Sequence, residues 1–318
     1  MNNVFQNKWS VIGIAIFCSL LWGSAFPVLK ISYEELQMAP DDTIAKVVFA
    51  GLRFLLAGII VLVGLLLTSP RHLLVTRRQI FVLVILGIVQ TSLQYFFFYN
   101  GLAKVSGMQG SILSASGTFF TVIIAHYFYK NDRMNWNKTI GLIAGFTGII
   151  VANWGQSFEL SFQITGEGYM ILAALTGAIG TIMAKELATG IHPFALTGWQ
   201  LSIGAAILLI IGLPQLEENA IIFNPLGTGL FIYSAILSAV AFALWYSLLK
   251  YNKAGEISIY KFVVPVSGTV LSALFIPGEK MNLFIIGAIA LVAVGIVAIN
   301  WKQRDASPIG KSKNLKSE

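Results

Sequence analysis

The sequence has little charge. Asp, Glu, Lys and Arg make up only 11% of its 318 residues, against roughly 25% in a soluble domain. A water-facing surface cannot be covered with so few charged groups. Because 56% of the chain is hydrophobic and the mean hydropathy is +0.78, the natural solvent is a bilayer. Cysteine is nearly missing: Cys18 stands alone in an apolar run, which excludes an internal disulfide and a thiolate metal cluster. The three histidines, His72, His126 and His192, show no metal-ligand spacing. Acids are outnumbered 14 to 21 by Lys and Arg, and none lies in the interior of an apolar run. The net charge of +7 does not indicate nucleic acid, because the basic residues sit in short loops and the tail, where they suit lipid headgroups and topology.

What is present is a succession of apolar runs. About 20 mostly apolar residues cross roughly 30 Å of hydrocarbon, and ten runs qualify: Trp9–Ile31, Ile44–Thr68, Gln79–Leu102, Val105–Tyr129, Trp136–Trp154, Gly168–Leu187, Pro193–Leu213, Pro225–Leu249, Glu256–Ile276 and Asn282–Trp301. The start of the first run looks like a signal peptide, with Gly23, Ser24 and Ala25 after Leu21. Its apolar character continues through Leu29, however, so it reads as a span and not as a cleaved leader. The expected fold is an all-α integral membrane protein. If the N-terminus is inside, the cytoplasmic segments carry thirteen Lys and Arg, from Lys8, Arg71, Arg77 and Arg78 to Lys316, and the opposite loops carry two, Lys104 and Lys280. The positive-inside bias therefore predicts that both termini are cytoplasmic in a plasma-membrane protein.

The chain also repeats itself. A shift of 147 residues lays Asp132-Arg133-Met134-Asn135 on Glu279-Lys280-Met281-Asn282, and Asn153-Trp154 on Asn300-Trp301. The same shift pairs Gly51 with Gly198, Tyr99 with Tyr246 and Ser111 with Ser258, and a shift of 155 pairs Lys30 with Lys185. Five spans per half is an odd number, so equivalent helices cross in opposite directions. The sequence thus predicts two inverted repeats, residues 1–154 and 168–301, joined by an external linker at 155–167 and followed by a basic cytoplasmic tail at 302–318.

Several residues carry a family resemblance. Trp22-Gly23 with Phe26 and Lys30, Arg53-Phe54, Pro265, and the acid-basic-apolar starts at Asp132 and Glu279 before glycine-rich spans are together similar to the drug/metabolite transporter superfamily, in its ten-helix EamA-type form. The resemblance covers nearly all of residues 9–301 and implies secondary transport, often export, of amino acids, sugars, nucleotide derivatives or drugs. The sequence departs from the family pattern at Asp132, where Glu is usual, and at Thr118, where Pro is common. The second departure predicts a fourth span without the kink that Pro265 gives the ninth.

Candidate pathway residues are the polar and aromatic groups in mid-span. They are Gln90, Gln94, Tyr95 and Tyr99 on the third span, Trp199 and Gln200 on the seventh, Trp245 and Tyr246 on the eighth, and Tyr260 and Lys261 on the ninth. Gln90 with Gln94, and Tyr95 with Tyr99, are four apart and share a helix face. Trp22, Arg53, Ser114, Thr118 and Pro265 can serve structure or pathway. Arg53 lies about 14 Å into its span at 1.5 Å per residue, where a charge must face protein or water. The favoured reading is a clamp on carbonyls across the bundle, with anion binding as the alternative. Lys261 can snorkel or face a cavity.

These residues predict a secondary transporter of a small metabolite such as an amino acid, working by alternating access, with lipids and solute as partners, no cofactor or metal, and a monomeric or weakly oligomeric state. A membrane-embedded enzyme acting on a lipid-like substrate is the alternative. It would need clustered acids, a His pair or a catalytic dyad, and the sequence offers none. The topology has a direct test in a background lacking Cys18. In intact cells an impermeant thiol reagent should modify Glu159→Cys and spare Arg71→Cys, and the opposite pattern would reverse the orientation.

Overall fold

In the computed structural model, residues 4–152 and 162–278 are described, together with 283, 284, 286, 287, 290, 291 and 293–295. Most of the expected linker, the tail and much of the expected tenth span lie outside the described residues. The rest is helical. Eight helices are long and apolar enough to cross a membrane: α1 Lys8–Glu35, α2 Thr43–Thr68, α3 Arg77–Lys104, α4 Gly107–Phe128, α6 Ile164–Leu187, α7 Pro193–Gln215, α8 Pro225–Tyr251 and α9 Ala254–Phe275. Between them, α5 occupies Trp136–Ala152 within the described residues, in the place of the fifth expected span. Large apolar side chains such as Leu67, Phe81 and Ile210 are exposed on the outside of the bundle, as helices facing hydrocarbon require.

Local chemistry sets the helix ends. Asn7, Asp42, Ser106 and Asn224 accept backbone N–H groups in the first turns of α1, α2, α4 and α8, and Thr76 with Gln79 makes a capping box on α3. His192 caps α7 by accepting the Phe194 N–H at Nδ1. Burial, with His72 and Lys250 nearby, holds this imidazole below its ordinary pKa and so in the neutral form that can accept. Lysines satisfy carbonyls in the connections and at one helix end. Lys46 donates to Ala39, Pro40 and Asp42 oxygens, and Lys138 donates to the Asp132 and Arg133 oxygens while pairing with the buried Asp132 carboxylate. Lys185 reaches the Leu249 and Asn252 oxygens at 3.1 and 2.6 Å. It is therefore a cap across helices and does more than snorkel.

Two helices depart from regular geometry beside the centre. In α3 the stretch Ile88–Leu93 is π-helical. α4 breaks at Ala115, between Gly107–Ser114 and Ser116–Phe128, which corrects the expectation of an unkinked fourth span. No proline is involved. The hydroxyls of Ser111, Ser114 and Ser116 instead bond back to carbonyls three residues earlier, competing with the helical ladder. α9 breaks at Ile259–Phe262, a 3-10 stretch just before Pro265, in the register that the 147-residue shift assigns to the break in α4.

Close approach through glycine joins the helices. A Cβ on Gly51 of α2 would lie 2.8 Å from Leu209 of α7, and one on Gly198 of α7 would lie 2.6 Å from Leu62 of α2. These contacts are reciprocal, since 51 and 62 become 198 and 209 on adding 147. The Arg53–Tyr99 and Tyr246–Gln200 hydrogen bonds obey the same relation. Tighter still, a Cβ on Gly204 would come 2.5 Å from the Gly87 carbonyl oxygen, whereas one on Gly64 would meet nothing within 4 Å. Gly204→Ala should therefore cost about 1–3 kcal/mol through overpacking and lower the melting temperature in detergent, with Gly64→Ala close to neutral. Equal melting of the two variants would contradict this packing.

Candidate functional site

The helices enclose a central cavity of about 130 Å³. Its wall is built from α1, α2, α3, α4, α6, α8 and α9, so both halves of the chain contribute. Of the residues singled out in the sequence, Trp22, Arg53, Gln90, Gln94, Tyr95, Ser114, Thr118, Trp245 and Lys261 line it. The other six are outside the wall. Tyr99 and Tyr246 are buried behind it, bonded to Arg53 and Gln200. Gln200 also donates to Thr91, and Trp199 donates its indole N–H to the Leu73 oxygen at 3.1 Å. Tyr260 lies within the break in α9 and Pro265 just after it, and their carbonyls accept from Ser19 and Ser111.

The two cations of the cavity are held differently. Arg53, 2% exposed, donates from Nε to the Ser234 oxygen at 3.0 Å, from Nη1 to the Tyr99 hydroxyl at 2.7 Å and from Nη2 to the Ser238 hydroxyl at 2.9 Å. A guanidinium with three fixed partners on α3 and α8 ties these helices to α2. One partner is a carbonyl, as the sequence reading expected, and two are hydroxyls; the fork spans positions no ammonium could reach together. Lys261 has no carboxylate partner among the described residues. Its Nζ lies 5.2 Å from the Trp22 ring centre and 4.7 Å from that of Trp245, with the Thr181 hydroxyl at 3.5 Å. Two indole faces thus shelter the ammonium, an interaction of about 2 kcal/mol when desolvated.

The third helix adds uncharged polar groups. Gln90 is 4% exposed and the Oε1 atoms of both Gln90 and Gln94 are buried without a donor. Both amides lie against α6 at glycines: a Cβ on Gly180 would overlap Gln90, and one on Gly177 would come 2.8 Å from the Gln94 Nε2. The rest of the wall is mainly apolar, including Phe26, Phe98 and Phe242, and among the described residues it contains no acid. Sequence reasoning missed these phenylalanines and the contribution of α6. Phe residues are too common in this chain to stand out, and Gly177 and Gly180 read as ordinary packing residues until Gln90 and Gln94 are seen resting on them. Among the described residues no group of three His, Cys, Asp or Glu side chains could hold a metal ion.

Comparison with known proteins agrees with this architecture. The model of the EamA-like transporter family matches residues 9–154 and again 164–301. The uncharacterized transporter YvbV of Bacillus subtilis is 25% identical over 91% of this chain and 90% of its own. An uncharacterized transporter of Archaeoglobus fulgidus is 23% identical over 94% and 100%, and a WAT1-related chloroplastic protein of Arabidopsis thaliana is 24% identical over 93% and 70%. A solved crystal structure superposes with a TM-score of 0.75 over 95% of this chain and 100% of that one at 15% identity, a likeness of fold. The Arg53 clamp yields a prediction independent of function. Arg53→Lys cannot serve Ser234, Tyr99 and Ser238 at once, so it should cost roughly 2–3 kcal/mol and lower the melting temperature. An unchanged melting temperature would show that the three bonds contribute nothing.

Proposed function

Because the chain belongs to the EamA-like transporter family, we propose that it is a secondary transporter that moves a small metabolite, such as an amino acid or related compound, through the central cavity by alternating access. The observation that carries this reading is a cavity walled by helices from both halves, holding a lysine that has no carboxylate partner among the described residues. An ammonium inside the bundle without a carboxylate partner is costly, and membrane proteins retain such groups mainly on solute paths. The proposed carrier has two inverted repeats of five spans that rock about the cavity. Supporting this are the reciprocal α2–α7 contacts, the matched Arg53–Tyr99 and Gln200–Tyr246 pairs, and the double match to the family model. Breaks in α4 and α9 on the cavity wall supply sites where the helices can bend. We place the protein in the plasma membrane with both termini cytoplasmic, on the basic-residue bias, and take export as the direction.

Reconstitution in liposomes with a broad panel of labelled metabolites tests the proposal. At least one solute should move saturably, and Thr118→Trp, which adds bulk to the wall, should abolish its movement while leaving the protein folded. Because no acid lines the cavity, flux down a fixed solute gradient should persist when a protonophore is added. Failure of the folded protein to move any solute, or wild-type flux in Thr118→Trp, would overturn the reading; complete loss with protonophore would overturn the uncoupled mechanism.

A further inference from the structure

A second hollow lies on the outer face of the bundle. α3 and α4 contribute Val82, Ile124 and Phe128 to it and α6 contributes Ile179 and Met183, around a space of about 280 Å³. The lining it offers is apolar throughout, and Ile179 and Phe128 are exposed, so the groove opens to the bilayer and not into the bundle. Water in such a groove would have no polar partner, and in the membrane hydrocarbon fills it.

The charges at one end of the groove are of both signs. Arg78 precedes Val82 by one turn on the same face of α3, and Lys130 follows Phe128 by two residues. The exposed aromatic rings of Tyr127 and Trp136 mark the headgroup level at this end. Here Glu186, which also lines the groove, presents an exposed carboxylate with no ion-pair partner among the described residues. Its neighbour Lys185 is already spent on the Leu249 and Asn252 oxygens. The Tyr129 phenol beside it has its pKa raised, first by burial and then by this carboxylate, and so stays neutral. A purely anionic headgroup would suit Arg78 and Lys130 but would set a like charge against Glu186. A trimethylammonium headgroup brings a cation without an N–H donor, whereas a primary ammonium next to a phosphate satisfies both signs with charge-assisted hydrogen bonds.

We infer that this groove is a lipid site that holds one acyl chain of a zwitterionic phospholipid with a primary ammonium headgroup, Glu186 accepting from the ammonium and Arg78 and Lys130 taking the phosphate. The site is separate from the solute cavity, yet the same three helices wall that cavity from the inside through Gln94, Thr118 and Gly177. A chain in the groove therefore packs against the outside of the cavity wall.

Native mass spectrometry of the delipidated full-length protein, titrated with chain-matched dioleoyl phosphatidylethanolamine, phosphatidylcholine and phosphatidylglycerol, tests the site. The ethanolamine lipid should bind about threefold or more tighter than the other two, as an ion pair at an exposed carboxylate allows. Glu186→Gln keeps the side chain's shape and an acceptor for Tyr129, and should erase the preference while leaving the choline lipid's affinity unchanged. Glu256→Gln, a carboxylate at the start of α9 that pairs with Lys253, should leave the preference intact. Ile179→Trp fills the groove and should weaken all three lipids several-fold. Equal binding of the three lipids, a preference for the glycerol headgroup, a preference that survives Glu186→Gln, or unchanged binding in Ile179→Trp would overturn the inference. So would a dimer that Ile179→Trp dissociates without affecting lipid, since a second copy of the chain would then cover the groove.

Discussion

Inside the hydrocarbon slab nothing but protein can satisfy a polar group, and the rest of this structure depends on that constraint. Lys46 and Lys138 are spent on carbonyls of the connecting segments and Lys185 on those at the end of α8, and caps quiet the helix N-termini. Arg53 has three partners. On the cavity wall Gln90 and Gln94 keep Oε1 atoms without a protein donor among the described residues, and Lys261 faces the same space with two indole rings in place of a carboxylate. Buried hydroxyls away from that wall, at Thr197, Ser202, Ser258 and Ser272, are unpartnered as well.

The same constraint explains the packing. Without a hydrophobic drive between helices, association depends on close backbone approach. The glycines of α2 and α7 provide it, and the contacts of Gly51 and Gly198 are reciprocal under the 147-residue shift. Gly177 and Gly180 have a second consequence, since the room they leave is occupied by the Gln94 and Gln90 amides. Small residues thus set both the helix spacing and the depth of the cavity wall.

Much of this was legible in the sequence because membrane helices announce themselves by length and hydropathy, and a charge such as Arg53 has few places to go. Eight of the expected spans, and the presence of Arg53 and Lys261 deep within theirs, could be read from residue type and hydropathy. The division of polar residues between wall and support could not. Tyr95 and Tyr99 share a helix face by spacing, yet Tyr95 lines the cavity while Tyr99 sits behind it as the partner of Arg53. That difference arises from tertiary packing next to a π-helical stretch. The break in α4 escaped notice because its cause is a run of serine hydroxyls, a weaker signal than proline.

The central claim, that a positively charged solute cavity lies between the two halves, can be measured without knowing the solute. In a background lacking Cys18, the wall position Ser114→Cys would be reacted with an anionic and a cationic methanethiosulfonate of matched size. The account predicts faster modification by the anionic reagent, with the preference lost on adding Lys261→Met. Faster modification by the cationic reagent, or a preference indifferent to Lys261, would contradict it.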